Sequence, residues 1–227
     1  MYSIIGHRGA ITFARENTIS SIIAAKKINC NTIEADVLLT RDKIPIMFHD
    51  EKLDRLTNMK GNICEYNYDE IKNVILKDSD DKIPLLVNFL NKCRELCISL
   101  MLEIKNYGID EKVVVKQITD VVKEYTDIEI VICSYSIKIL KYLNIIYPNN
   151  DYIYIVDKIP YNWYKTIQKY RCQGIFINYY DNNIADIKLC ANKIPTYCFT
   201  INKIEDYETL SNTKIKGIIT DKPELFI

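Results

Sequence analysis

Eight short runs rich in β-branched and apolar residues, separated by stretches with apolar residues at helical spacing, are what most limits the fold of this chain. The runs lie at 3–6, 32–38, 99–105, 128–133, 152–156, 174–178, 195–200 and 216–220. Between them, helices are expected at about 18–28, 84–97, 110–125, 136–147, 160–171, 182–192 and 203–211, the first with Ile19, Ile22 and Ile23 on one face and Asn17 or Thr18 as its cap. Eight strands separated by helices are the pattern of a TIM (β/α)8 barrel, slightly small for its class. Only 221–227 follow the eighth strand, so the final helix should be rudimentary or absent, and a second subunit is one candidate cover for that flank.

The rhythm weakens once. Ile46-Met47-Phe48 reads as a short extended piece, and 51–83 reads as a short insertion after the second strand with one helix near 68–76. It is too short for a domain of its own, so residues 1–227 are expected to form a single domain.

In such a barrel, working groups stand at the C-terminal ends of strands, and alternate strand residues point inward. The chain has two histidines, and both fall by such ends: His7 after the first strand and His49 after the short extended piece. Arg8 follows His7. Glu34 and Asp36 stand two apart on the second strand and share a face, as Glu103 and Lys105 do on the third. Three carboxylates without cysteine or histidine among them suit a hard divalent cation, Mg²⁺ or Ca²⁺, better than zinc.

Charge points to the ligand. Glu34, Asp36 and Glu103 against Arg8 and Lys105 leave one net negative charge, which one divalent ion turns into one positive charge that attracts a phosphodiester. Arg8 can grip phosphate oxygens with two prongs and Lys105 as a point charge. With ordinary pKa values of about 6.5, His7 and His49 can serve as an acid/base pair, one taking a proton from the attacking hydroxyl or water and the other protonating the leaving alkoxide.

Gly6-His7-Arg8-Gly9, Glu16-Asn17-Thr18, Ile33-Glu34-Ala35-Asp36-Val37, Thr40-x-Asp42, His49-Asp50 and Leu53-x-Arg55 resemble, in order and spacing, the glycerophosphodiester phosphodiesterases. Ile83-Pro84-Leu85, Leu102-Glu103-Ile104-Lys105, Phe199-Thr200-Ile201-Asn202 and Gly217 to Pro223 extend the resemblance over essentially the whole chain. It implies a metal-dependent hydrolase of glycerophosphodiesters that yields sn-glycerol 3-phosphate and an alcohol. On matching positions it implies Glu34, Asp36 and Glu103 as metal ligands, His7 and His49 as acid and base, and Arg8 with Lys105 on the phosphate. It also implies first attack by the glycerol 2-hydroxyl, through a cyclic phosphate. Departures from the pattern are Arg15 for a proline, Leu56 for a threonine, Cys133 and Tyr135 around Ser134, and Phe199 for a frequent tryptophan. Phe199 is a candidate wall of the glycerol pocket, Arg15 a candidate contact for an acidic head group, and Tyr66 and Tyr68 of the insertion are aromatic candidates for head-group choice.

Two rivals are a lipid phosphodiesterase of the sphingomyelinase D type, which shares the barrel but generally belongs to secreted, disulfide-stabilised proteins, and a non-catalytic phosphate-binding barrel. Composition narrows the partners. Thirty basic residues balance thirty acidic ones, so no global field recruits nucleic acid or an anionic membrane. No apolar run approaches a membrane span. The eight cysteines show no C-x-x-C spacing and are expected to be reduced and often buried, which with no visible signal segment gives a cytoplasmic expectation.

Overall fold

The computed structural model describes residues 2–227. Its strands are β1 (Ser3–His7), β2 (Thr32–Leu39), β3 (Pro45–Met47), β4 (Ser99–Ile104), β5 (Ile130–Ser134), β6 (Tyr152–Val156), β7 (Gly174–Asn178), β8 (Thr196–Phe199) and β9 (Gly217–Thr220). The helices are α1 (Ile19–Lys27), α2 (Tyr68–Ile71), α3 (Leu86–Leu96), α4 (Glu111–Val122), α5 (Ile137–Ile146), α6 (Trp163–Lys169), α7 (Ile184–Ala191) and α8 (Ile204–Leu210). All strands but β3 are parallel, in the order β1-β9-β8-β7-β6-β5-β4-β2, and β1 closes on β2 through Gly6 opposite Ile33 and His7 opposite Glu34. This is a closed TIM barrel.

Local sequence explains the elements. Thr18 caps α1 in a reciprocal box with Ser21, Asp110 caps α4 by accepting from Lys112 N and Val113 N, and Ser136 and Asn183 cap α5 and α7. In α4 the buried residues Val114, Val115, Ile118 and Val122 recur at helical spacing and face the sheet. Alternate strand residues separate into two cores. One joins helices to the outer face of the barrel, while Ile5, Met101, Cys133, Ile153, Ile155, Phe176 and Ile219 fill its interior.

Three features refine the sequence reading. The extended piece is a true strand, β3, running antiparallel along β2 with Val37 opposite Met47. The helix expected near 68–76 is confined to Tyr68–Ile71; Val74 N turns back to Ile71 O and Leu76 N bonds Asp81 O, sending Leu76 into a small separate core with Phe48, Leu53, Ile63 and Ile71. After β9 a single 3₁₀ turn, Pro223–Leu225, stands in the place of the last helix. Phe226 then packs on Tyr207, and Tyr207 on Tyr2, which covers part of the flank for which a second subunit was one candidate cover. All eight cysteines are free and six are buried. Among the described residues, no helix is long and apolar enough to cross a membrane.

Candidate active site

The turn after β1 brings the first groups into place. Arg8 adopts φ 57° and Gly9 φ 94°, and a Cβ on Gly9 would fall 2.3 Å from Ser21 Oγ, so only glycine fits there. The left-handed Arg8 turns its own N–H to Glu34 Oε2 at 3.2 Å. Glu34 and Asp36 point from β2 into the barrel mouth, and Glu103, opposite Asp36 in the β2–β4 register, joins them. Ligand oxygens of the three carboxylates lie within 4.8 Å of one another.

One cavity of about 150 Å³ opens at this end, lined by His7, Arg8, Glu34, His49, Glu103, Lys105 and Phe199, together with Tyr135, Ile155, Phe176, Thr200 and Ile219. Seven of the eight residues assigned from sequence to catalysis, phosphate, metal or the glycerol pocket therefore share one wall. The eighth, Asp36, lies just beneath, 3.3 Å from Arg8 Nε and 3.4 Å from Lys105 Nζ. Tyr66 and Tyr68 are placed elsewhere. They pack on the insertion's own core, Tyr66 donating to Lys60 O, because aromatic bulk there is needed to bury a segment with few apolar residues. The aromatic wall is Tyr135 and Phe199, edge to face at 6.4 Å.

Electrostatics separate the three carboxylates. Burial pushes Glu34 well above the usual carboxylate range, and the charges of Asp36 and Glu103 push it further. Burial likewise lifts Glu103 to about 7, although Lys105 at 2.6 Å opposes it. Burial acts on Asp36 in the same sense, but Lys105 and Arg8 outweigh it and keep the group ionised, and Asn17 holds its orientation by donating Nδ2–H to Oδ2 at 2.9 Å. Glu34 Oε1 is buried without a hydrogen-bond partner. A cluster of buried oxygens, two with raised pKa values and one with an orphan lone pair, fits a hard divalent cation.

Each histidine has one nitrogen fixed. His7 Nδ1 lies 2.6 Å from Asp221 Oδ1, and His49 Nδ1 lies 2.7 Å from Asp50 Oδ1. Both aspartates are held low, Asp50 to about 2: against the effect of burial, Arg55 and His49 stabilise its ionised form, as His7 and Asn202 do for Asp221. An ionised carboxylate only accepts, so the proton sits on Nδ1 and Nε2 is left for the cavity. His7 Nε2 is 3.9 Å from Glu34 Oε2. Burial pulls His49 below the ordinary imidazole range against the field of Asp36, so its ring is neutral at neutral pH.

Motif residues with no chemistry of their own are the supports. Asp221 orients His7 and is itself held by Asn202 at 2.7 Å; Asp50 orients His49; Glu16 accepts from Arg8 Nη1 at 2.6 Å. The available signal was a carboxylate or amide at a strand end, Asp221 after β9 above all. With these groups the mouth holds six carboxylates, Glu16, Glu34, Asp36, Asp50, Glu103 and Asp221, against three cations, Arg8, Arg55 and Lys105. Counted as ionised, the carboxylates outnumber the cations, and the raised pKa values of Glu34 and Glu103 are how that excess shows without a bound cation.

Comparison with known proteins agrees with this geometry. Residues 7–225 match the model of the glycerophosphoryl diester phosphodiesterase family. A glycerophosphodiester phosphodiesterase of Caldanaerobacter subterraneus subsp. tengcongensis is 28% identical over 244 residues, covering 99% of this chain and 96% of that protein. Among solved structures, a phosphodiesterase from Oleispira antarctica in complex with the product sn-glycerol-3-phosphate superposes with a TM-score of 0.93 at 25% identity, covering 98% of this chain and 94% of the other. A glycerophosphodiester phosphodiesterase from Thermotoga maritima shares the fold, with a TM-score of 0.81 at 24% identity over 100% of this chain and 97% of its own.

Proposed function

Because the chain belongs to the glycerophosphoryl diester phosphodiesterase family, we propose that it hydrolyses glycerophosphodiesters to sn-glycerol 3-phosphate and an alcohol in the cavity shared by His7, Arg8, Glu34, His49, Glu103 and Lys105. The observation that carries this reading is the pairing of two histidines, each fixed at Nδ1 by an ionised aspartate, around a buried three-carboxylate cluster.

Glu34, Asp36 and Glu103 would hold one divalent cation, Mg²⁺ or Ca²⁺, which when bound neutralises the cluster and withdraws charge from phosphate oxygens. Arg8 and Lys105, both above their ordinary pKa despite burial because Asp36 and its neighbours stabilise their charge, bind the phosphate and the charge that develops on it. Neutral His49 takes the proton of the attacking oxygen, either water or the substrate's own 2-hydroxyl, and in the second case water then opens the cyclic phosphate to give sn-glycerol 3-phosphate. His7, oriented by Asp221, gives a proton to the leaving alcohol. Phe199 and Tyr135 form the apolar side against which the glycerol carbons pack. A cytoplasmic location goes with this reading, since a reducing compartment keeps eight thiols free. A homodimer would bury Leu225 and Ile227, which are exposed on the β9 flank; light scattering that finds only monomer would discard it.

The test is release of glycerol 3-phosphate from glycerophosphocholine with Mg²⁺ or Ca²⁺, with EDTA, H7A and H49A as controls. Release should require the metal and collapse in both variants, by roughly 10²- to 10⁴-fold as expected for loss of general acid or base catalysis. Full activity in either variant would refute the histidine roles, and activity in EDTA would refute the carboxylate site. Cleavage of lysolipid or sphingomyelin alone would favour the rival lipid enzyme.

A further inference from the structure

The insertion after β3 reaches back to the active centre at one side chain. Arg55 lies between two carboxylates and grips both with two prongs. Its Nη1 and Nη2 donate to Glu16 Oε2 and Oε1 at 2.6 and 2.8 Å, and its Nε and Nη2 donate to Asp50 Oδ2 and Oδ1 at 2.6 and 2.9 Å. Each carboxylate has a second partner in the cavity. Glu16 Oε1 accepts from Arg8 Nη1, and Asp50 Oδ1 faces His49 Nδ1. Only a planar guanidinium has the donors to present one fork to each carboxylate; an ammonium does not.

The surroundings hold Arg55 in register. Lys77 Nζ donates to the carbonyls of Asp54 and Arg55 at 2.7 and 3.3 Å, and Lys77 N donates to Leu56 O at 2.8 Å. On either side of Glu16, Arg15 pairs with Asp78 at 3.0 Å and Ser20 donates to Asp81 at 2.6 Å. The insertion is thereby fastened to the β1–α1 loop and the first turn of α1, on either side of the carboxylate that Arg55 binds. Arg55 itself does not line the cavity, and its side chain is 47% exposed.

We infer that Arg55 is a positioning residue for the reaction: through Glu16 and Asp50 it fixes the phosphate-binding Arg8 and the proton-accepting His49 relative to each other. The inference rests on the roles proposed above for those two residues. Two groups that act on one phosphodiester must keep their separation to a fraction of an ångström, and the Arg8 side chain alone is too long to do so.

The assay is glycerophosphocholine turnover by the full chain at saturating Mg²⁺, with R55A, R55K, E16Q, D50N and the paired variant E16Q/D50N. R55A should lower kcat by about 10²-fold, the size of loss that misplacement by an ångström produces, with KM changed far less. Added guanidinium should restore part of the kcat of R55A whereas methylammonium should not, and R55K should recover little. Effects of E16Q and D50N should be less than multiplicative in the native chain and become independent in the R55A background. A structural role alone would lower the thermal midpoint without rescue by guanidinium. Unchanged kcat in R55A, equal rescue by both cations, or independent effects of E16Q and D50N in the native chain would overturn the inference. Should R55A not fold, R55K and the E16Q/D50N cycle decide. Full activity in H49A would overturn the assigned roles and this inference together, whereas an inactive H49A beside an unaffected R55A overturns this inference alone.

Discussion

His7 and His49 each commit one ring nitrogen to an aspartate, and the aspartates lie at very different distances in sequence: Asp50 is the next residue, while Asp221 is 214 residues away. The histidines, Arg8, Lys105 and the three carboxylates were legible because each is a polar group set on or beside a strand of known phase. Their supports were not, since nothing in a linear spacing says that Asp221 meets His7 or that Glu16 meets Arg8; barrel closure makes the first contact and the path of the β1–α1 loop the second. D221N should leave the fold intact and lower kcat, by no more than the roughly 10²- to 10⁴-fold that a general acid contributes; an unchanged kcat would show that His7 needs no carboxylate. Glu103 gives a pH prediction. Its folded pKa, lifted to about 7 mainly by burial, exceeds the unfolded value of about 4.3. Between those values the folded state binds more protons, so stability of the metal-free protein falls as pH rises through the window. Glu34 acts in the same sense, whereas Asp50, held at about 2, contributes stability that is lost only below about pH 4. Thermal midpoints in EDTA should decline from about pH 4.5 to 7, less steeply below about pH 6.5, where His49, pulled below its ordinary value, works in the opposite sense, and E103Q should flatten the decline; a rising profile would contradict the buried-charge account.

Among the elements, the eight parallel strands were readable because each is a run of β-branched and apolar residues between turn signals, and both faces of such a strand are buried. The three residues of β3 are too few to show a period, so its antiparallel pairing with β2 could not be read from them. The insertion was legible only as a weakening of pattern. Its aromatic residues turn inward to its own core because a short segment must bury what apolar surface it has, and that displaced Tyr66 and Tyr68 from the pocket to which sequence assigned them. Leu53 is the anchor of that core, fully buried two residues before Arg55. L53A should cost about 2–5 kcal/mol, the usual range for a buried leucine, and activity should fall with stability because the Arg55 fork loses its platform. Urea unfolding paired with turnover checks this, and loss of stability at full kcat would separate the insertion from catalysis. The turn after β1 is equally exacting: G9A forces a left-handed alanine and a clash with Ser21 and should cost at least about 1 kcal/mol, read from the same unfolding curves.

At the scale of the whole molecule, the proposed active centre sits at the seam where the barrel closes. Only two residue pairs join β1 to β2, and one of them is His7 with Glu34. Glu34 and Asp36 on β2 and Glu103 on β4 are ligand candidates on adjoining strands, beside the turn that carries Arg8. Without a cation, this seam holds closely spaced carboxylates whose repulsion is only partly offset by Arg8 and Lys105. A divalent ion that binds the folded chain alone would relieve the repulsion and tie β2 to β4, and mass action fixes how much that stabilises. At one hundred times the dissociation constant the gain is about 2.7 kcal/mol, and for a chain of this size each kcal/mol moves the midpoint by about 2–4 °C. Saturating Mg²⁺ or Ca²⁺ should therefore raise the thermal midpoint by roughly 5–11 °C over EDTA. The rise should disappear in D36N and shrink in E34Q, and it should be larger at pH 7 than at pH 5, where Glu103 and Glu34 are protonated and have less repulsion to relieve. An equal rise in D36N would place the ion somewhere other than the barrel mouth.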